Sequence, residues 1–395
     1  MRITRSNYFQ KLNRFDIYLM LLIFSQILGA YGGFFQITRV FSLILFSFLF
    51  HSLSIKNFRT FRFYIYFHIV FIIYSMFFLV FGKYVETKTL LAIVYGIINI
   101  TICLNLIILS SKCNDFFKSV CLGIFLFLIV AIPLSFWEIQ TNVHFITVIV
   151  DGTQVGGTDI LRIYTSLFFG NYNNYNMVLM MMTPFLFSYM LLYKKWFPLI
   201  FLAAILYIFS VNGTRSGVIM FLIQLLLFLI LSKKIKFLFF VIPILFFYIP
   251  TIDLDSLIIF KRFEVLGVED KERSDLIGIS IQAFLDSYFL GIGPNAFSNY
   301  VAEKFPNYIG ANHNLLSEIL SQYGLFIFLY FVYILIRTFR KFYANIRYNP
   351  VIVFSLIGFP FVIVVNSSYL LGVNIWIFLT VLLIINIRKL KHTSK

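Results

Sequence analysis

Runs of about 20 apolar residues, the length that crosses a hydrocarbon core roughly 30 Å thick, recur along almost the whole chain and leave few folds open to it. Twelve such runs stand at approximately 16 to 35, 37 to 55, 63 to 82, 89 to 110, 117 to 137, 174 to 192, 196 to 211, 215 to 231, 236 to 252, 314 to 336, 351 to 366 and 371 to 387. Lipid offers the backbone no hydrogen-bond partner, so open sheets are excluded and each run is expected to be a helix. The fold class expected is therefore all-α: a polytopic membrane protein of about 12 transmembrane helices, forming a single integral membrane domain over residues 1–395. Charged residues make up 12% of the chain, against about 25% in an ordinary soluble domain, which excludes a soluble globule.

The net charge of +16 is explained by topology rather than by nucleic acid. With the N-terminus on the cytoplasmic side, the inner segments hold 22 of the 32 basic residues and two acids, Asp16 and Asp115, leaving the inner face at +20 and the outer face at −4. This is the asymmetry of the positive-inside rule, and it puts both termini in the cytoplasm. The basic N-terminal stretch leads straight into further spans, so an uncleaved first span is expected rather than a signal peptide. Cys103, Cys113 and Cys121 have no metal-ligand spacing and no histidine near them in sequence, and are read as structural filler.

Two outer segments, 138–173 and 253–312, are too long to be connectors, and loops of that length in a compact protein carry function or are disordered. In the second, Ser274 is a candidate N-cap, and Ile277, Ile281, Phe284, Leu285 and Tyr288 recur at helical spacing. An amphipathic helix is expected there, lying against the membrane face or over a cavity.

Chemistry is sought among the outer charges. Arg215, at the outer end of a span, either snorkels to headgroups or meets an anionic or polar partner. Arg162 precedes the amide-rich "FFGNYNNYN"; it either binds a polyoxygenated ligand or pairs with Asp159. Arg262 and Arg273 suit ordinary loop charge as well as binding. His313 follows Asn312, a plausible N-cap, and in the first turn of the tenth span the helix dipole would keep its ring neutral. It is a candidate general base or a polar anchor. Glu318 and Gln322, spaced i and i+4, form a polar stripe lining a cavity or pairing with a neighbouring helix. His51 and His68 are expected to be packed or hydrogen-bonded, and no motif supports a metal or nucleotide site.

Taken in order, "TRSG" before an apolar span, Arg273 ahead of "GIGPNAF", and "ANHNLLSEILSQYGLF" resemble the O-antigen ligase and O-antigen polymerase superfamily of bacterial membrane glycosyltransferases, over roughly residues 160 to 335. Leu276 and Ile277 stand where that family habitually carries a Trp after its loop arginine. The resemblance implies a glycosyltransferase-C-like architecture in the bacterial cytoplasmic membrane, with an active site on the outer face. It implies a donor glycan carried on undecaprenyl diphosphate, and inverting transfer to a sugar hydroxyl without metal or other cofactor. By motif, Arg215 and Arg273 would hold the diphosphate, with Arg162 placed more loosely; His313 would serve the acceptor, with Arg262, Asn314 and Glu318 as secondary candidates. The lipid bilayer is an expected partner, as are a flippase and a chain-length regulator of the same pathway.

The abundance of Phe, Ile, Asn and Lys suggests an AT-rich genome, and on that ground a polysaccharide polymerase for O-antigen or capsule is the leading expectation. The alternative in the family is a ligase moving finished glycan to a lipid A core or another acceptor. The alternative from another class is a transporter, which predicts functional charges near mid-membrane and matched halves.

Overall fold

The computed structural model describes residues 12–29, 31, 36–84, 87–146, 164–234, 271–308, 312–340, 349–365, 370 and 372–387. Among these residues there are helices and no strands. Each apolar run named above coincides with a helix except the ninth, 236 to 252, which lies outside the described residues. In chain order the helices are α1 (Arg14–Phe24), α2 (Ile37–Leu49), α3 (Ile55–Phe81), α4 (Thr87–Lys112), α5 (Phe116–Thr141), α6 (Tyr172–Tyr193), α7 (Pro198–Val211) and α8 (Arg215–Leu231). After the large loop segment come α9 (Lys271–Asp286), α10 (Phe297–Lys304), α11 (Leu315–Phe339), α12 (Pro350–Val362) and α13 (Val373–Ile387).

Five of these, within α3, α4, α5, α6 and α11, are long and apolar enough to cross a membrane. The others are shorter, and the first run is not one continuous span. α1 stops after 11 residues, roughly 16 Å of helix, and goes on only as a 3-10 turn over Ser25–Leu28. The start of α1 is fixed by Asn13, whose Oδ1 accepts the Phe15 and Asp16 N–H while Asp16 Oδ2 accepts the Asn13 N–H, a reciprocal cap. Buried Asp16 also accepts from Ser119 Oγ (2.8 Å), tying α1 to α5.

A helix enclosed by other helices need not be amphipathic, and α6 is buried on all sides because it lies at the centre of the bundle. Every residue from Tyr175 to Met190 is buried, and α6 packs against α5, α7, α8 and α12. The main apolar core runs through the bundle helices, while α9, α10 and the turn between them build a second, smaller core of Leu276, Ile279, Ala283, Phe297, Tyr300 and Val301.

That smaller core shows which side of the loop helix meets protein, and the expected cap is corrected. Ser274 lies inside α9 rather than capping it, and the buried stripe is Leu276, Ile279 and Ala283; Ile277, Ile281, Leu285 and Tyr288 are exposed. The loop is pinned to the ends of α3 and α4: Lys83 Nζ meets Glu303 Oε1 at 2.7 Å, Asn299 Nδ2 donates to Tyr84 O (3.1 Å) and Thr89 Oγ1 donates to Pro294 O (3.0 Å).

Inside the loop, Tyr300 Oη donates to Asp286 Oδ2 (2.7 Å) and Gln282 Nε2 to Asp286 Oδ1 (2.7 Å). These bonds hold the Asp286 carboxyl below its ordinary range. A lowered folded value means that the stabilisation is present above the ordinary carboxylate range and is lost as pH falls through the lowered value. Tyr300→Phe is expected to cost the loop about 1 kcal/mol at neutral pH after solvent screening and to flatten its acid sensitivity. Hydrogen exchange over residues 276–301, followed from neutral to acid pH, checks both.

The helix α11 is broken. Gly324 has φ 71° and ψ −175°, so the helix divides into Leu315–Tyr323 and a longer second part. The carbonyls of Ser321 and Gln322, freed by the break, accept the N–H groups of Ile292 (2.9 Å) and Gly293 (3.0 Å), and Leu325 N donates to Phe289 O (2.9 Å). The "GIGPNAF" turn is thus the piece that fills the break.

Candidate functional site

One end of the bundle gathers buried polar groups. Glu138, in the last turn of α5, is fully buried and its carboxylate accepts four bonds: from Thr165 Oγ1 (2.6 Å), Ser166 N (2.9 Å), Leu167 N (2.9 Å) and Phe145 N (3.1 Å). His144 Nδ1 lies 3.8 Å from the same carboxylate, and its ring stacks on Tyr164 at 4.0 Å between centroids. These donors hold the strap 164–169 in a tight turn in which Leu167 adopts φ 46°, a left-handed conformation that costs about 1 to 2 kcal/mol for a side chain of this kind.

The strap then reaches the α7–α8 junction. Thr165 N donates to Asn212 Oδ1 (2.8 Å), Asn212 Nδ2 donates to Thr165 O (3.1 Å) and to Asn176 Oδ1 (2.8 Å), and Asn176 Nδ2 donates to Thr214 Oγ1. Thr214 is the N-cap of α8, and Arg215 is its first helical residue, half-buried. The chain of bonds from Glu138 through Thr165, Asn212 and Asn176 therefore sets where α8 begins and from where Arg215 projects.

His313 reaches the same end from the other side. The helices α8 and α12 are antiparallel: Gln224 Nε2 donates to Phe354 O (3.0 Å), and a Cβ on Gly358 would touch Gln224 and Met220. Nine residues back along α8 from Gln224 lies Arg215, and nine residues on from Phe354 lies Ile363, the C-cap of α12, each roughly 13 Å away; Ile363 O accepts the Leu315 N–H (3.0 Å) at the start of α11. Arg215 and His313 thus stand at one level of the bundle, on elements joined through α12.

The cap of α11 differs from the expected one. Asn314, not Asn312, is the N-cap, accepting from Leu316 N (2.9 Å) and Ser317 N (3.3 Å), so His313 precedes the cap instead of sitting in the first turn. The Asn312 side chain is committed elsewhere, accepting from Ser317 Oγ (2.7 Å) and donating to Ser321 Oγ (3.2 Å). His313 and Asn314 are both half-buried.

The polar stripe of α11 faces protein. Glu318 is buried at 1% exposure, with Leu370 N 3.5 Å from its Oε1, and Gln322 Oε1 accepts the Asn295 N–H at 2.7 Å. Arg162 and Arg262 lie outside the described residues. Arg273 is on the first turn of α9, and its side chain is also outside them. Two of the asparagines of "FFGNYNNYN" are structural: Asn171 caps α6 by accepting from Asn173 N (2.7 Å), and Asn176 serves the α8 junction. Among the described residues no cluster of His, Cys, Asp and Glu is arranged to hold a metal.

Sequence reasoning passed over Glu138. The signal was a lone carboxylate directly after the fifth apolar run, where an unpaired charge is costly. It also passed over buried Arg39, whose guanidinium lies 3.7 Å from the Tyr95 ring centre. The reading of Cys103 as isolated from histidine holds only along the chain, because in space His68 Nε2 lies 3.4 Å from its Sγ.

Glu138→Ala is expected to destabilise the protein by about 3 kcal/mol, since at least two buried backbone N–H groups would lose their acceptor at about 1 to 3 kcal/mol each. Glu138→Gln keeps an acceptor oxygen and is expected to lose less. Thermal unfolding in detergent measures the difference.

The described residues thus define a multi-pass, all-helical membrane protein with a loop module and a polar cluster at one end of its bundle. Within it, residues 199–332, from α7 to the second part of α11, match the family model described as O-antigen ligase. That stretch carries Arg215, His313 and the Gly324 break, and it is about a third of the chain. The motifs that resemble the O-antigen ligase and polymerase superfamily fall largely within the matched stretch. No curated protein matches the chain.

Proposed function

We propose that the protein is a polysaccharide polymerase, transferring glycan repeat units from undecaprenyl diphosphate to a sugar hydroxyl at the outer face of the bacterial cytoplasmic membrane. The observation that carries this reading is the common level of Arg215 and His313 at one end of the bundle, on elements of the family-matched stretch. A transporter would need its working charges near mid-membrane, where Gln224 of α8 is instead satisfied by Thr183 and Phe354.

In this reading the acceptor hydroxyl gives its proton to the His313 imidazole as its oxygen attacks the anomeric carbon from the side opposite the leaving group. The new C–O bond forms as the bond to the diphosphate breaks, which inverts the anomeric centre. Polyprenyl diphosphate departs with the electron pair, and its growing charge is met by the Arg215 guanidinium through charge-assisted hydrogen bonds, joined by Arg273 and Arg162. The activated lipid supplies the driving force, so the step as proposed needs no nucleotide or metal. The basic ends of the helices opposite this site, including Lys112, Lys194 and Arg337, suit the cytoplasmic side.

A ligase uses the same donor chemistry with another acceptor, and the description of the matching family names that activity. Purified protein in vesicles, given an undecaprenyl-diphosphate-linked repeat unit, tests the proposal. A ladder of lengthening lipid-linked glycan supports the polymerase, and its persistence in chelator supports the metal-free mechanism. Transfer only when a lipid A core is added would replace it with the ligase, and movement of unchanged lipid-linked glycan across the bilayer would replace it with a transporter.

A further inference from the structure

The turn that ends α9 lies deep beside the spans. Its Phe289 carbonyl is bonded to Leu325 N, ten residues into α11 and roughly 15 Å along it from Leu315. Its Leu290 carbonyl accepts from Tyr74 Oη (2.8 Å), seven residues and roughly 10 Å short of the end of α3. At that depth three consecutive large side chains point away from the protein: Tyr288 is 85% exposed, Phe289 52% and Leu290 56%.

The backbone of this turn is built as lipid requires. Non-helical backbone at membrane depth is tolerated only where protein satisfies its polar groups. Six successive N–H groups have protein acceptors: Tyr288 on Leu285 O, Phe289 on Phe284 O, Leu290 on Ser287 O, Gly291 on Ser287 Oγ, Ile292 on Ser321 O and Gly293 on Gln322 O. A turn bathed in water would have no need of such completeness. The exposed stripe of α9, Ile281 and Leu285, leads to the tip, and the two helices the tip bonds to are themselves exposed at Phe77 of α3 and Phe326 of α11, both within candidate spans. Gln282 and Asp286 are exposed too, but they occupy another flank of α9, where Asp286 accepts from Tyr300 and from Gln282.

We propose that the tip of the turn, Tyr288 to Leu290, with the neighbouring Leu285 side chain, forms a re-entrant anchor sunk among the acyl chains of the adjacent bilayer leaflet, so that the large loop is held from its lipid side as well as from the bundle. The inference rests on the membrane assignment and not on the transfer chemistry.

Nitroxide labels test it on the full-length protein in lipid vesicles. With Cys113→Ser removing the half-buried native thiol, labels are placed through Leu285→Cys and Tyr288→Cys, and through Glu303→Cys as an exposed reference on the loop. Collisions with dissolved oxygen are expected to exceed those with a water-soluble nickel chelate at 285 and 288, more so at 288, and the order is expected to reverse at 303. Nickel exceeding oxygen at 288 would overturn the anchor in favour of a water-exposed turn. Protection from both would overturn it in favour of a covering protein surface, such as a second copy. Should a label disturb folding, Tyr288→Trp gives a second reading: quenching by brominated acyl chains supports the anchor, and quenching by aqueous iodide alone refutes it.

Discussion

Arg215→Lys is expected to slow glycan transfer by about 100-fold to 1000-fold, the loss typical when one preorganised donor to a developing negative charge is removed. Lysine keeps the charge, so electrostatic attraction of an anionic lipid would persist; it lacks the planar fork that bonds two phosphate oxygens at once. The effect should appear mainly in turnover, because the fork matters most as the leaving group gathers charge. Stability should change little, since Arg215 is half-buried at a helix start whose cap, Thr214, is held independently by Asn176. His313→Ala is expected to reduce transfer by a comparable or smaller factor, in line with the roughly 100-fold to 10,000-fold contributions of positioned general bases. Residues that act as one unit lose activity non-additively, so the double variant should fall little below the worse single one. Rates are measured with the lipid-linked repeat unit in vesicles, with unfolding temperatures as the control. Full polymer length and yield from the double variant would remove both residues from the mechanism.

The positions of the helices were legible in the sequence because an apolar run in lipid has one solution, whereas the faces of those helices were less so. α9 carries two apolar stripes, Leu276–Ile279–Ala283 and Ile277–Ile281–Leu285, on nearly opposite faces of the helix. Periodicity finds both, but only the partner surface decides which is buried against protein and which turns outward. A similar ambiguity governed the cap of α11. Asn312 and Asn314 are equally good caps by residue type, and the choice fell to Asn314 because the Asn312 side chain is held between Ser317 and Ser321. The common level of Arg215 and His313 depends on the pairing of Gln224 with Phe354 and of Leu315 with Ile363, contacts between residues far apart in the chain. Motif order suggested that these residues cooperate, but it carried no distance. Glu138 was hidden differently: the apolar run ended one residue before it, which made a buried acceptor look like the first residue of a loop.

Gly324→Ala is expected to destabilise the protein by about 3 kcal/mol or more, enough to unseat the loop module, because it combines backbone strain with overlap in a packed interior. The strain arises at φ 71° and ψ −175°, a region open essentially to glycine alone. The overlap is equally definite: a Cβ at 324 would lie 2.4 Å from the carbonyl carbon and oxygen of Leu290 and 2.5 Å from Phe289 O. These are backbone atoms, so no rotamer change relieves the contact. Relief requires the turn to withdraw, which would break the bonds from Ile292 N and Gly293 N to the opened carbonyls of α11 and leave buried acceptors unpaired. Gly291→Ala meets the same crossing from the other side, its Cβ 2.6 Å from Gly324 N, and is expected to cost a similar amount. Since either substitution alone separates the two segments, the second should add little, giving a coupling of about 1 to 3 kcal/mol between the sites. Gly278, by contrast, lies on the exposed side of α9 with nothing within 4 Å of an added Cβ, and Gly278→Ala is expected to stabilise the helix by up to about 1 kcal/mol. Thermal unfolding in detergent, with hydrogen exchange over residues 287–296, separates the outcomes: native-like stability and protection in Gly324→Ala would mean that the turn does not fill the break in α11.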